Sequence, residues 1–218
     1  MDKIIFLYIQ NLEKRKKEVQ DNNGKGDELD RRIKEILSHR ESKRVAMEEG
    51  LTRASVLLPL LIKDDSYQIL FTRRTDRVKH HKGEISFPGG IYDTSDQDLL
   101  ATALREAYEE IGVRPEDVEV LGELDEVMTV SSNFIISPFV GFIPYPYPFV
   151  PSYEEIEEII ILPLGRFLKQ GVLTEEYRSY PGKAEIVYSY RCGGHIIWGA
   201  TAKILRQFLQ LIRVEDFR

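Results

Sequence analysis

Apolar positions change rhythm once the chain passes residue 50. Before it they recur at helical spacing: Ile4, Ile5, Tyr8, Ile9 and Leu12, then a dense run of charge, then Leu29, Ile33, Ile36 and Leu37 amid Arg, Lys and Glu. Asp21-Asn22-Asn23-Gly24-Lys25-Gly26 separates the two runs as a break signal. The pattern predicts a hairpin of two amphipathic helices over residues 1–50. Such an extension covers the remaining domain or packs in a homodimer; a substrate lid is the sharper alternative.

From Arg53 the runs become strand-like. Ser55 to Ile62 is continuously apolar, Lys63-Asp64-Asp65-Ser66 reads as a turn, and Tyr67 to Thr72 as a return strand, so the pair predicts a hairpin. A helix is expected over Asp98 to Ile111, and strands over Val118 to Leu124, Phe134 to Ile143 and Glu155 to Leu162. Pro144, Pro146, Pro148 and Pro151 mark a stiff loop, since proline fixes φ and cannot donate to a sheet. A short helix over Leu164 to Gln170, a hairpin of Ile186 to Tyr190 with His195 to Trp198, and an amphipathic helix over Thr201 to Val214 complete the chain. Strands and helices interleave without a regular βαβ period. The expectation is an α/β (α+β) fold, a mixed sheet between helices, as one domain over residues 51–218.

Composition narrows the class. The 218 residues are 42% hydrophobic and 30% charged, as in a globular protein. A net charge of −6 disfavours nonspecific nucleic-acid binding but leaves room for a local basic pocket and a small anionic substrate. The single cysteine, Cys192, allows no internal disulfide and reads as a spectator. No apolar run approaches the ~20 residues of a membrane helix, and the N-terminus lacks the pattern of a signal peptide. No membrane partner is expected, and the default location is cytoplasmic.

The stretch Phe87 to Val113 carries the chemistry. Leu100, Leu104, Ala107 and Ile111 share one helical face, and Glu106, Glu109 and Glu110 cluster on another at about 100° per residue. Gly112 ends the helix. Three neighbouring carboxylates repel one another, and a hard divalent ion with oxygen ligands relieves that repulsion. Gly89-Gly90 offers a tight bend at which backbone can approach a metal or phosphate. A solvated acidic face and a metal site both remain open on spacing alone.

The same stretch resembles the Nudix box. Its second half reads Arg105-Glu106-Ala107-Tyr108-Glu109-Glu110-Ile111-Gly112-Val113. The first half departs: one extra residue separates Gly90 from Arg105, and Asp96 stands where a spaced glutamate is expected. That departure is similar to the Nudix subgroup that hydrolyses coenzyme A: Gly89-Gly90, Asp93, Asp96 and Asp98, then Thr102-Ala103-Leu104-Arg105-Glu106-Ala107. Upstream, Leu70-Phe71-Thr72-Arg73-Arg74, Lys79, and Gly83 through Phe87-Pro88-Gly89-Gly90 also resemble that subgroup. Thr75 stands where Ser or Ala is usual, and Lys79 where Arg is usual. Downstream, Ser137 to Ile143, Glu155 to Ile159, Leu162-Pro163-Leu164 and Ile197 to Ala202 extend the resemblance to roughly residues 53–213.

The resemblance implies a Nudix-type mixed sheet and a diphosphatase that uses Mg²⁺ or Mn²⁺. Glu106, Glu109 and Glu110 would hold metal with the help of a carbonyl of Gly89 or Gly90, and one acid of the cluster, or Glu155 or Glu158 of a loop, would accept the proton. Arg105 would pair with Asp96 or another acid to fix the loop–helix angle, a structural role. Arg73, Arg74, Lys79 and Gly89 would contact the substrate; for Arg73-Arg74 and the basic run Lys79-His80-His81-Lys82 a solvated turn is the alternative. His80 and His81 are read as phosphate contacts or surface residues, because no set of zinc ligands accompanies them. Coenzyme A would give 3′,5′-ADP and 4′-phosphopantetheine. Rival substrates are ADP-ribose, dinucleotides and nucleoside triphosphates, and a non-catalytic nucleotide-binding module is a further rival.

Overall fold

The computed structural model describes residues 26–77, 82–129, 132–180 and 183–212. In chain order the elements are α1 (Gly26–Ser38), β1 (Thr52–Lys63), β2 (Ser66–Arg74), β3 (Ile85–Ser86), β4 (Gly89–Ile91), α2 (Leu99–Ile111), β5 (Glu119–Glu123), β6 (Val127–Met128), β7 (Phe134–Phe142), β8 (Ile156–Pro163), α3 (Leu164–Phe167), β9 (Leu173–Tyr180), β10 (Lys183–Cys192), β11 (His195–Trp198) and α4 (Gly199–Leu211).

The β1–β2 hairpin forms where the apolar runs place it. Lys63 pairs with Ser66, and the two turn residues Asp64 and Asp65 both take positive φ, 51° and 54°. Two such residues in a row give the I′-like turn whose twist matches the flanking strands. β1 then runs parallel to β7, from Thr52 opposite Phe134 to Leu60 opposite Phe142. A parallel pair needs a long crossover, and the intervening chain supplies it with α2. The main sheet has the order β3-β2-β1-β7-β5, with β4 added on β1, β6 on β7 and β8 on β2.

β1 is apolar throughout because both of its faces are covered. Leu57 meets Ala103 and Ala107 of α2 together with Phe139. Leu58 and Leu60 face the other way, into a core shared with Phe71, Val140, Ile204, Leu205 and Phe208. This is the expected mixed sheet between helices. A second sheet, β11-β10-β9, stands beside it.

Several details differ from the sequence reading. Gly89–Ile91 is not a free bend but a short strand paired to β1, Val56 opposite Gly89 and Ser55 opposite Gly90. β9 is not predicted by the apolar pattern, because its Glu175, Glu176 and Arg178 lack such a rhythm; it is an exposed edge strand, where charge guards against unwanted pairing. α2 begins at Leu99, with Asp98 as the cap accepting from Ala101 N at 2.8 Å. Finally, its buried face is Thr102, Ala103, Ala107, Glu110 and Ile111, so Glu110 belongs to the inner side.

The helix expected over Ile4–Leu12 lies outside the described residues. Within α1, Ile33 and Leu37 are buried against the main core, and Gly122 of β5 is crowded by Leu37: a Cβ there would lie 2.5 Å from the leucine's own. The segment after α1 is fastened by the 123–126 corner. Arg40 pairs with Asp125, Lys43 N donates to Asp125 at 2.9 Å, and Val45 N donates to Glu126 at 2.7 Å.

Candidate active site

α2 lies over β1 with Ala103 and Ala107 as its contact, and small side chains let helix and sheet approach closely. One turn further on, Glu110 enters the same layer beside β4, and Glu106 stands at the edge. Glu110 is almost wholly buried; Gly89 N donates to its Oε2 at 3.3 Å, and Arg74 Nη1 lies 3.4 Å from its Oε1. Glu106 has a 17% exposed side chain and Glu109 a 55% exposed one. Arg105 Nη1 donates to both, at 2.7 and 3.0 Å.

These positions correct the picture of three acids turned together away from the apolar stripe. Residue 110 is three after 107, about 60° around the helix, so it cannot leave the inner face while Ala107 occupies it. Glu109 points outward, and Arg105 reaches between Glu106 and Glu109. Among the described residues, no three His, Cys, Asp or Glu side chains are gathered closely enough to hold a metal ion.

Burial acts strongly on the inner acids. It is the main cause that pushes Glu110 up to about 8; Glu106 and Glu155 add to the rise, and Arg74 and the Gly89 amide oppose it. Glu106 is raised as well, again chiefly by burial, against the pull of Arg105. Gly90 touches this edge: a Cβ there would sit 2.3–2.5 Å from the Glu106 carboxylate. The donors on offer are all oxygen, two of them on acids whose charge is unfavourable where they stand. That set suits a hard divalent cation.

A cavity of about 1210 Å³ opens over these groups. Arg74, Arg77, Glu84, Glu154 and Glu155 line it with the α2 acids, as do Gly89 and Gly90. The opposite wall is apolar, with Met128, Phe134, Ile136, Ile186 and Trp198, and comes from β6, β7 and the second sheet. The chemistry-bearing side was readable from the sequence. The apolar wall was not, because its residues look like ordinary core until two sheets bring them together.

The structure also sorts the remaining candidates. Arg74 and Glu155 share the cavity, 3.7 Å apart. Arg73 and Glu158 do not line it. They are cross-strand partners on β2 and β8, 3.2 Å apart, and Arg73 Nη2 also donates to His195 Nδ1 at 2.8 Å. Arg74 faces the acids, whereas Arg73 is taken up by Glu158 and His195; the pairing of β2 with β8 shifts register between the two arginines. Of the residues expected to contact substrate or take the proton, the cavity is thus lined by Arg74 and Glu155 and not by Arg73 and Glu158. Lys79, His80 and His81 lie outside the described residues. Arg105 holds Asp96 through Nε and Nη2, at 2.9 and 3.0 Å. Cys192 is buried, and burial pushes its thiol up, away from reactivity.

The chain is similar to known proteins. The family model of the NUDIX domain matches residues 51–144. A protein of Photorhabdus laumondii described as uncharacterized Nudix hydrolase NudL is 35% identical over 161 residues, 74% of this chain and 85% of its own length. A Yersinia pestis protein of the same description is 35% identical over 162 residues, 74% of this chain and 80% of its own. The NUDIX domain of Shewanella oneidensis NrtR, solved with ADP ribose, aligns over 62% of this chain and 84% of its own at 18% identity, with a TM-score of 0.46. The chain belongs to the Nudix hydrolase family, whose enzymes act on phosphoric anhydrides and generally use divalent cations, typically Mg²⁺ or Mn²⁺. Among the described residues, no helix is long and apolar enough to cross a membrane.

Proposed function

We propose that the chain hydrolyses the diphosphate linkage of coenzyme A or its derivatives, releasing 3′,5′-ADP and 4′-phosphopantetheine. One observation carries the site assignment: Glu110, Glu106 and Glu155 share one cavity with Arg74 and the paired glycines, and burial makes the charge of the first two costly there. Glu106, Glu109 and Glu110, with the backbone of Gly90, would hold Mg²⁺ or Mn²⁺, once Glu106 and Glu109 turn off Arg105. A metal held there would supply positive charge against the phosphoryl oxygens and lower the pKa of water. The chain's own groups do the rest. Arg74 and the Gly89 amide bind and orient the diphosphate. Glu155 accepts the proton of the attacking water. Arg105 and Asp96 set the angle between the loop and α2. The apolar wall excludes bulk water and receives the part of the substrate beyond the phosphates.

The coenzyme A assignment is supported by the spacing of Gly89-Gly90, Asp93, Asp96 and Asp98 and by the Leu70-to-Gly90 resemblance. It is tested by incubating the chain with coenzyme A, ADP-ribose, dinucleotides and nucleoside triphosphates, with Mg²⁺ or Mn²⁺, and weighing the products by mass spectrometry. Faster turnover of ADP-ribose than of coenzyme A would overturn the substrate. Near-normal turnover after joint replacement of Glu109 and Glu110 by Gln would overturn the metal assignment. Residues 1–50 are proposed as a cover of the 51–218 domain, supported by the packing of Ile33 and Leu37.

A further inference from the structure

The proline-rich loop between β7 and β8 is fastened at both ends of its last turn. On one side it hangs from α2: Val150 N donates to Ile111 O at 3.0 Å, and Ser152 N donates to Glu110 O at 2.9 Å. On the other side it meets Thr75, the residue that follows Arg74. Thr75 N donates to Glu155 O at 2.8 Å, and Thr75 Oγ1 donates to Glu154 O at 3.0 Å. The same hydroxyl accepts from Arg77 N at 3.3 Å. Thr75 is 8% exposed, so these bonds form largely out of water.

One threonine thus ties two consecutive carbonyls of the loop, with its backbone and its side chain. A hydroxyl has one hydrogen to give, and here it is given to Glu154 O. With both carbonyls held, the backbone at Glu155 is fixed and only its side-chain torsions remain. Its carboxylate stays within 3.7 Å of Arg74, in the cavity with Glu106 and Glu110. A carboxylate on a loop tip needs such restraint, because proton transfer depends steeply on placement.

We infer that Thr75 is a positioning residue for hydrolysis, acting through the backbone of Glu154 and Glu155 to place the Glu155 carboxylate. The inference rests on the reading above in which Glu155 accepts the proton. Removing the hydroxyl leaves the metal and phosphate groups in place, so it lowers turnover and spares binding.

The test compares Thr75→Val, Thr75→Ser and Glu155→Gln with the native chain, on whichever diphosphate it hydrolyses. Thr75→Val should lower kcat about 10- to 100-fold, with KM within about twofold, and Thr75→Ser should restore most of the rate. The double variant Thr75→Val/Glu155→Gln should be no slower than Glu155→Gln alone, since both changes remove one function. Multiplicative losses in the double variant, a change in KM alone, or a Ser variant as slow as the Val variant would each overturn it. If Thr75→Val does not fold, Thr75→Ala carries the same expectation, and failure of both would show that the hydroxyl serves the fold instead. Hydrolysis by the native chain and its loss in Glu106→Gln report on the proposed function separately.

Discussion

Arg105 grips Asp96 with two nitrogens, one on each carboxylate oxygen, while its third nitrogen reaches Glu106 and Glu109. Asp96 is further held by Thr102 Oγ1 at 2.8 Å, and its own oxygen accepts from Asp93 N at 3.2 Å. The loop before α2 is therefore clamped onto the helix at the level of the acids.

That clamp has an acid limb. The Arg105 guanidinium is the main cause that lowers Asp96 to about 2, against the opposing effect of burial. A lowered carboxyl contributes stability that is present above its unfolded value of 3.8 and is lost as pH falls through about 2. After allowance for solvent screening the contribution is about 1–2 kcal/mol. Asp96→Asn should lower the unfolding free energy from urea titration at pH 7 by that amount, with a lower urea midpoint, and flatten its fall between pH 4 and 2. Arg105→Lys, which keeps charge but loses the planar fork, should show much of the same loss. Equal midpoints for native and Asp96→Asn chains at pH 7 would refute the clamp.

Glu110 should behave in the opposite sense. Its value is raised to about 8, mainly by burial, so the stability it contributes is complete below its unfolded value and is lost as pH rises through about 8. Above that, its charge burdens the folded chain. Glu110→Gln cannot ionise, so at pH 9 in a chelator it should be more stable than the native chain by on the order of 2–4 kcal/mol. Near pH 5 the two should be nearly equal. The same variant should lose activity by at least about 100-fold if the acid holds metal. Parallel pH–stability curves would contradict the burial argument.

Much of this was legible from the sequence, and the failures have one physical origin. Helical spacing located α2, and apolar runs located β1, β2, β7 and β8, because those elements bury a face. Spacing alone could not tell that Glu110 sits on the inner face, since a carboxylate there breaks the rule that charge faces water. Nor could it separate Arg73 from Arg74: neighbours in sequence look equivalent until pairing with β8 assigns Arg73 to Glu158. β9 was invisible because an edge strand needs no apolar pattern. In each case a tertiary contact, not a local preference, decided the outcome.

Gly89 and Gly90 should separate under substitution although they are adjacent. A Cβ at Gly89 would lie 2.3 Å from Ser55 O and 2.7 Å from Val56 Cα, both backbone atoms of the central strand. That strand cannot yield, so Gly89→Ala should cost at least about 2–3 kcal/mol, read as a drop in the thermal midpoint. At Gly90 the obstruction is only the Glu106 carboxylate, the mobile end of a side chain. Gly90→Ala should therefore fold with a loss under about 1 kcal/mol, while moving Glu106 and cutting kcat about 10-fold or more. Equal stability losses at the two positions would refute the distinction.

Glu126 joins the segment after α1 to the sheet, and its removal should release that segment. The carboxylate accepts from Val45 N at 2.7 Å, Ser137 Oγ at 2.9 Å and Arg53 Nη1 at 2.9 Å, with Arg44 Nη1 at 3.3 Å. Burial pushes its pKa up, but the Val45, Ser137 and Arg53 bonds outweigh that and hold it below the usual glutamate value. A group lowered in this way contributes stability above its unfolded value and loses it as pH falls. Glu126→Ala leaves a buried hydroxyl, an amide and a half-buried guanidinium without their acceptor, which costs about 2–4 kcal/mol. Because Val45 N loses its acceptor while Arg40, Lys43 and Arg44 keep Asp125 and Glu123, residues 45–50 should be cut by a nonspecific protease well before the rest of the chain. Those residues come free of the 123–126 corner without touching the acids of α2, so the surviving folded fraction should keep its KM. A protease pattern unchanged by Glu126→Ala would show that Arg40, Lys43 and Arg44 hold the segment through Asp125 and Glu123, and that Glu126 serves only the sheet.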